Sequence, residues 1–430
     1  MVGQNSYSEF NSQNSFSFSL LLAVAFIISA VGTSTTDWAS YINFTLLSTW
    51  LFFAFWGNPK AFFFVINKPQ AKILFLLLSF YFFTGIYNGG LLYTSKIMGS
   101  YLIIFSPFLF FEYYRKINKK KLKVLLYVSI TLFFIYVFKA LVFYLTHPVS
   151  ARILAADREA FGEISIGGGY SLAYASTIFA VFLLDILLNS NIIDKRVKAF
   201  SIVALFPLCG LVLQTKSTLT IIALFLGIIG SLIFKYFSLF KWNIPLKFFI
   251  STLGLLISIL FLLLFYKNIG LWIVYFTESS TDIVSLRFRE LGYLLSSGFG
   301  SAVYLLGRLG LPLISISSFL HNPLIGRGYE YGYVWEESHL FIGQHSEWAD
   351  MLGNTGIIGF ILFWMLIFFV TKDKKIISKR SVPPTYLLTF ILLGFFNPLR
   401  GFNPMFILSF VIPGISFLLF KTSQLPFDPK

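Results

Sequence analysis

Charge is scarce in this chain. Asp, Glu, Lys and Arg make up 12% of its 430 residues, against 57% hydrophobic residues. That balance excludes an ordinary soluble globule. Cysteine is nearly missing. Cys209 stands alone in an apolar run, so neither a disulfide framework nor a cysteine metal site is available. Histidine occurs four times, as His147, His321, His339 and His345, and none sits in a spacing such as His-Glu-x-x-His. No metal is expected. Residues 1–15 lack a basic stretch and read as a polar Ser/Asn tail, not a cleaved leader. The three glycines 167–169 follow no strand, so they do not form a nucleotide-binding loop.

What is present is apolar length. Phe alone occurs 54 times, and long apolar runs recur through the sequence. They predict an all-α polytopic membrane protein forming a single transmembrane domain over 1–430. About twelve spans are expected, near 16–36, 41–57, 72–88, 91–111, 122–146, 169–190, 199–213, 217–235, 247–266, 347–371, 384–399 and 404–421. The fragment Ala61–Asn67 extends the second span or lies at the membrane interface. The net charge of +15 would point to nucleic acid in a soluble protein. In a membrane protein its distribution across the two sides matters more. The basic clusters lie at 115–123, 194–198 and 372–380, at Lys235, Lys241 and Lys247, and more weakly at Lys60, Lys68 and Lys72. Twelve spans put them all on one side, which predicts a cytoplasmic location for them and for both termini. Two polar segments then face outward, 147–168 and the large loop 267–346. Within the latter, 301–320 is apolar enough to lie on the membrane or dip into it.

Several cations remain on the outer side: Lys96, Lys139, Arg152, Arg158, Lys216, Arg287, Arg289 and Arg400. Positive charge there runs against the topological bias. Snorkelling lysines and loop ion pairs explain single residues. The set as a whole predicts an anion site, with Arg suited to gripping phosphate in a fork. On one helix Arg287 and Arg289 would point about 200° apart, so only one of them would face a common site.

The segment 321–359, HNPLIGRGYEYGYVWEESHLFIGQHSEWADMLGNTGIIG, closes the large loop and begins the next span. Read as a helix, Glu347, Asp350 and Asn354 form one polar stripe, and Gly353, Gly356 and Gly359 form a small-residue face opposite. The expectation is a span with one packed face and one wet face. Carboxylates at a helix N-terminus also have a plain electrostatic explanation. His345 sits where the stripe meets the membrane and has the chemistry of a proton acceptor near neutral pH.

These elements together resemble the bacterial O-antigen polymerase and ligase superfamily. The resemblance rests on NPLIGRG (322–328), HSEWADMLGNTGIIG (345–359), the stretch from Arg152 to GGYSLAY, and TKSTLT (215–220), with Lys216 where that family usually has Arg. Arg287 or Arg289 is similar to the Arg that precedes the Asn-Pro element. The resemblance implies a GT-C-like membrane glycosyltransferase of the bacterial inner membrane. Such an enzyme joins undecaprenyl-diphosphate-linked oligosaccharide repeats at the periplasmic face, without nucleotide sugar, metal or other cofactor. The implied partners are the lipid-linked substrate, membrane lipid and a chain-length regulator protein. His345 and Glu347 would be catalytic. Arg152, Arg158, Lys216, Arg287 and Arg289 would hold the diphosphate. Tyr170, Arg327 and Asp350 would contact glycan more weakly. A ligase transferring glycan to lipid A core, and a transporter of the same lipid, remain alternatives.

Overall fold

The computed structural model describes residues 18–31, 37–87, 91–147, 170–189, 195–239, 267–278, 285–286, 288–289, 292–293, 296, 303–328, 342, 346–371, 385–397, 399 and 401–421. Every regular element among them is helical. In order they are α1 (Phe18–Val31), α2 (Asp37–Gly57), α3 (Pro59–Ile66), α4 (Pro69–Tyr87), α5 (Leu91–Ile117) and α6 (Lys119–Thr146). There follow α7 (Tyr170–Asn189), α8 (Lys195–Gln214), α9 (Thr218–Leu239) and α10 (267–277). The last are α11 (Val303–His321), α12 (Glu347–Thr371), α13 (Thr385–Phe396) and α14 (Phe402–Phe406), which runs through a π-helical turn, Ile407–Val411, into α15 (Ile412–Lys421).

Helix is the form an apolar run must take in lipid, because it satisfies its own backbone where no water can. Among the described residues, six helices are long and apolar enough to cross a membrane: Pro69–Tyr87, Thr94–Ile117, Lys119–Thr146, Tyr170–Leu188, Val197–Gln214 and Glu347–Thr371. Five more apolar helices are shorter, among them Phe18–Val31, Thr385–Phe396 and Phe402–Leu418. The span expected at 247–266 lies outside the described residues. Large apolar side chains such as Phe52, Trp56, Phe83, Phe206 and Phe225 stand exposed on the outer faces of the helices. An apolar coat of that extent suits lipid, not water. The architecture is that of a multi-pass membrane protein.

Local signals punctuate the chain where the sequence changes. Asn58 caps α3 by accepting from Ala61 N at 2.9 Å, with Pro59 at the first helical position. Asn118 accepts from Lys120 N and Lys121 N and so opens α6 directly after α5 closes. The fragment 61–67 is therefore a separate short helix and does not extend α2.

Helix α7 is more enclosed than the other five long apolar helices and packs against α8, α9, α13 and α14. Near its far end Asp185 is buried, accepts from the Ser231 hydroxyl of α9, and meets the first residues of α13, Thr385 and Tyr386. Its hydrogen bond joins α7 to α9 beside the start of α13. A second knot joins α1, α2 and α5: Tyr114 Oη bonds Ser19 Oγ at 3.1 Å and accepts from Trp50 Nε1 at 3.2 Å.

The contacts also sort the turns by end. Lys68 and Lys116 share one ring, Gly414 packs on Leu126, and Gly230 packs on Thr385. This gathers the α3–α4 and α5–α6 turns, the end of α9 and the start of α13 at one end, together with Asp185. Lys60, Lys68, Lys72, Arg115–Lys123, Lys195, Lys198 and Lys235 all belong to that end, as the sequence pattern requires. The opposite end carries Tyr170, Lys216, Glu347, Leu399 and Gly401.

Candidate functional site

The site at that opposite end is built around a break in α12. Gly356 has φ 60° and ψ −168°, so the helix is interrupted there. An intact helix would pair the N–H groups of residues 357 and 358 with the carbonyls of 353 and 354. The break frees all four groups. The NPLIGRG loop takes up every one of them. Ile357 N donates to Pro323 O at 2.8 Å and Ile358 N to Leu324 O at 3.3 Å. Arg327 N donates to Gly353 O and Gly328 N to Asn354 O, both at 2.9 Å. Irregular backbone is tolerated where its polar groups find partners, and here the loop supplies them.

Glycine is required at two points of this contact. Gly326 has φ 69°, and a Cβ there would stand 2.4 Å from the Asn354 carbonyl. A Cβ at Gly356 would stand 2.4 Å from the Leu324 carbonyl. Both obstacles are backbone and have no rotamer to move aside.

The polar stripe is thereby buried. Glu347 is 2% exposed, Asp350 1% and Asn354 3%. This corrects the expected wet face: α11 and the 322–328 loop pack along α12 at Asp350 and Asn354, and the backbone at Leu399 meets Glu347. Asp350 Oδ1 accepts from Ser315 Oγ at 2.6 Å, and Glu347 Oε2 accepts from Leu399 N at 2.9 Å. The small-residue face is used as well, since Gly353 lies on the Ser315 carbonyl. Within the apolar stretch 301–320, the residues from Val303 onward form α11, which docks on α12.

Glu347 leads onward to α7. Gly401 N donates to Leu399 O at 2.7 Å, and Gly401 packs against Ser171 Oγ, one residue after Tyr170. The beginnings of α7, α12 and α14 therefore meet. Tyr170 stacks on Tyr174 with centroids 5.9 Å apart. Nearby in the sequence of α14, Asn403 is 1% exposed, and neither atom of its amide has a hydrogen-bond partner.

Lys216 occupies the α8–α9 turn at the same end. Its φ of 51° is the one positive value at a non-glycine residue among those described. Thr215 and Ser217 on either side are buried, while Lys216 itself is half-buried. Left-handed backbone costs a residue with a Cβ about 1–2 kcal/mol.

Other expected site residues have local explanations. The Arg289 guanidinium donates to the Thr277 carbonyl and, at 2.9 Å, to the Glu278 carbonyl, closing the end of α10. That engages a group expected on the diphosphate in a helix cap. His321 Nδ1 lies 2.8 Å from Ser317 O, and His147 stacks on Phe143 at 4.6 Å. Lys96 and Lys139 are exposed, as snorkelling side chains would be. Arg327 joins the site through its backbone and is half-buried. Arg152, Arg158, Arg287, His339, His345 and Arg400 lie outside the described residues. No cluster of metal-ligating side chains occurs among the described residues.

Ser315, Leu399 and Asn403 were not singled out from sequence. A serine in an apolar helix and a backbone N–H carry no distinguishing pattern. Asn403, in Gly-Phe-Asn-Pro beside a span, was the one visible signal.

No protein-family model matches this chain, and no curated protein matches it in sequence.

Proposed function

We propose that the protein is a glycan polymerase that joins oligosaccharide repeats carried on undecaprenyl diphosphate at the outer face of a bacterial inner membrane. The observation that carries this reading is the enclosed acidic stripe Glu347–Asp350–Asn354. It is clamped by the NPLIGRG loop at the end of the bundle opposite the basic clusters. Acidic groups inside a membrane bundle mark function by default. At the same end stands a lysine, whose charge suits an anion. The positive-inside bias makes that end periplasmic, where lipid-linked glycans are presented. The reading carries with it a GT-C-like fold of about twelve spans with both termini cytoplasmic.

The chemistry follows from the groups. A hydroxyl of the acceptor repeat attacks the anomeric carbon of the donor repeat. The new C–O bond forms as the bond to undecaprenyl diphosphate breaks, and the carrier leaves with the electron pair. His345, one residue before the buried Ser346, accepts the hydroxyl proton. Glu347, held by Leu399 N–H, orients it. Lys216, with Arg152, Arg158 or Arg287, stabilises the charge growing on the departing diphosphate, a large effect where water is sparse. Tyr170 and Arg327 line the approach of the glycan, and Asp350, held by Ser315, supports the wall behind it. A diphosphate leaving group needs charge stabilisation more than a proton, so no metal or nucleotide enters the scheme.

The test is incubation of the purified protein with lipid-linked repeats, with and without lipid A core. A ladder of elongated lipid-linked products without core supports the polymerase. Products only on the core identify a ligase, and passage of the lipid across vesicles with no new bond identifies a transporter.

A further inference from the structure

The basic end of the bundle holds a feature that the glycan chemistry leaves unused. Helix α3 is a shelf between α2 and α5 and packs on both. Its Ala61 and Val65 are buried against them, while Lys60, Phe63 and Phe64 face outward. With eight residues it is too short to cross a membrane, and its mix of rings and ammonium groups suits the lipid interface.

Two cations from different helix ends converge on one ring of this shelf. Lys68 Nζ lies 4.2 Å from the Phe64 centroid, and Lys116 Nζ, from the end of α5, lies 4.7 Å from it. Like charges brought to a shared ring repel unless an anion joins them. Among the described residues none is supplied nearby. Neither 58–72 nor 113–123 contains an acidic residue, and Glu112 is held by Arg115 at 2.6 Å. Among the described residues, neither Lys68 nor Lys116 meets a carboxylate. The surrounding cations Lys60, Lys72, Lys119 and Lys120 are exposed and add to the positive field.

The surface beside the pair is aromatic. Phe55 contacts Phe63 edge to face at 5.8 Å, Phe52 stacks on Trp56 at 6.1 Å, and all four rings are exposed. A soluble anion has no use for such a surface, whereas an acyl chain does. A zwitterionic headgroup would bring its own ammonium against the lysines. We infer that the α3 shelf binds an anionic glycerophospholipid of the leaflet at the basic end. Its phosphate bridges Lys68 and Lys116, and an acyl chain lies over Phe64, Phe63 and Phe55. This does not depend on the glycan chemistry proposed above.

The test compares thermal unfolding and native mass spectra of the purified full chain with phosphatidylglycerol, phosphatidylethanolamine and soluble glycerol phosphate. Three variants are measured beside the wild type: Lys68→Ala with Lys116→Ala, Lys116→Gln alone, and a charge-matched control, Lys119→Ala with Lys120→Ala. Phosphatidylglycerol is expected to raise the wild-type and control midpoints and to stay bound to both, while the other two ligands do neither. Direct pairing with the phosphate accounts for up to about a factor of five in affinity per lysine. Lys116→Gln should therefore bind up to roughly fivefold more weakly, and the double variant at Lys68 and Lys116 up to roughly 25-fold. Equal losses in the two double variants would reduce the site to diffuse charge and overturn the inference. Unchanged binding in the Lys68/Lys116 variant would overturn it too, as would a full shift from glycerol phosphate alone, which would mark a soluble-anion site.

Discussion

Gly326 and Asn354 meet backbone to backbone. The α-carbon of one sits so close to the carbonyl of the other that a methyl group at 326 would come within 2.4 Å of it. Through this contact a loop replaces the hydrogen bonds that α12 loses at Gly356. The loop closes over the Asn354 end of the stripe, while Ser315 holds Asp350 and Leu399 N–H holds Glu347. The arrangement therefore stands or falls with two glycines, and they are the first place to test it.

Gly326→Ala and Gly356→Ala should each destabilise the protein. The positive-φ backbone alone costs a residue with a Cβ about 1–3 kcal/mol, and the clash with fixed backbone adds to it. Gly99→Ala, where nothing lies within 4 Å of the added methyl, should be neutral. Thermal midpoints of the three purified variants decide the matter. Equal midpoints would show that the loop does not clamp the break.

Ser315→Ala removes the hydroxyl that donates to Asp350. A buried acceptor deprived of its donor costs about 1–3 kcal/mol. The same loss should not follow from Ser317→Ala, because Ser317 is exposed. Denaturation of both variants, compared with Asp350→Asn, tests whether the hydroxyl and the carboxyl act as a pair. The combined variant Ser315→Ala/Asp350→Asn should lose less than the two single losses added together.

Much of the helical layout was legible because apolar length and basic turns are strong signals in lipid. The grouping of Lys68, Arg115–Lys123, Lys195 and Lys235 at one end follows from span parity alone. The site was only partly legible. Gly353, Gly356 and Gly359 recur at a spacing that serves close packing and a helix break equally well. Which occurs depends on whether another segment offers two carbonyls and two N–H groups in register, and 323–328 does so only in three dimensions. Arg287 and Arg289 looked alike as outer cations. The fate of Arg289 was set by the end of α10, whose free carbonyls cannot be seen in a charge pattern. The enclosure of Glu347 depends on Leu399 N–H, a backbone group common to almost any residue.

Lys216→Gly separates stability from use. Glycine relieves the left-handed cost of about 1–2 kcal/mol, so the variant should unfold at the same temperature or higher, while polymer is lost. Lys216→Arg should retain product. A Lys216→Gly protein that still makes full-length polymer would return the residue to a plain turn position.

Asp185→Ala should behave in the opposite way. The carboxyl accepts from Ser231 beside the start of α13, at the end of the bundle remote from Glu347. Its removal should cost about 1–3 kcal/mol and lower the yield of folded protein. The protein that folds should keep its rate per molecule. A fall in rate with unchanged stability would move Asp185 from the scaffold into the chemistry.

The central claim is that a new glycosidic bond is made at the expense of the bond to the lipid carrier. The direct measurement counts undecaprenyl diphosphate released against linkages formed, in vesicles holding only the purified protein and lipid-linked repeats. The account predicts one carrier released per linkage in the wild type, and a rate lower by about 10²–10⁴ in His345→Ala. Carrier released without linkages, or a His345→Ala protein that polymerises at the wild-type rate, would contradict it.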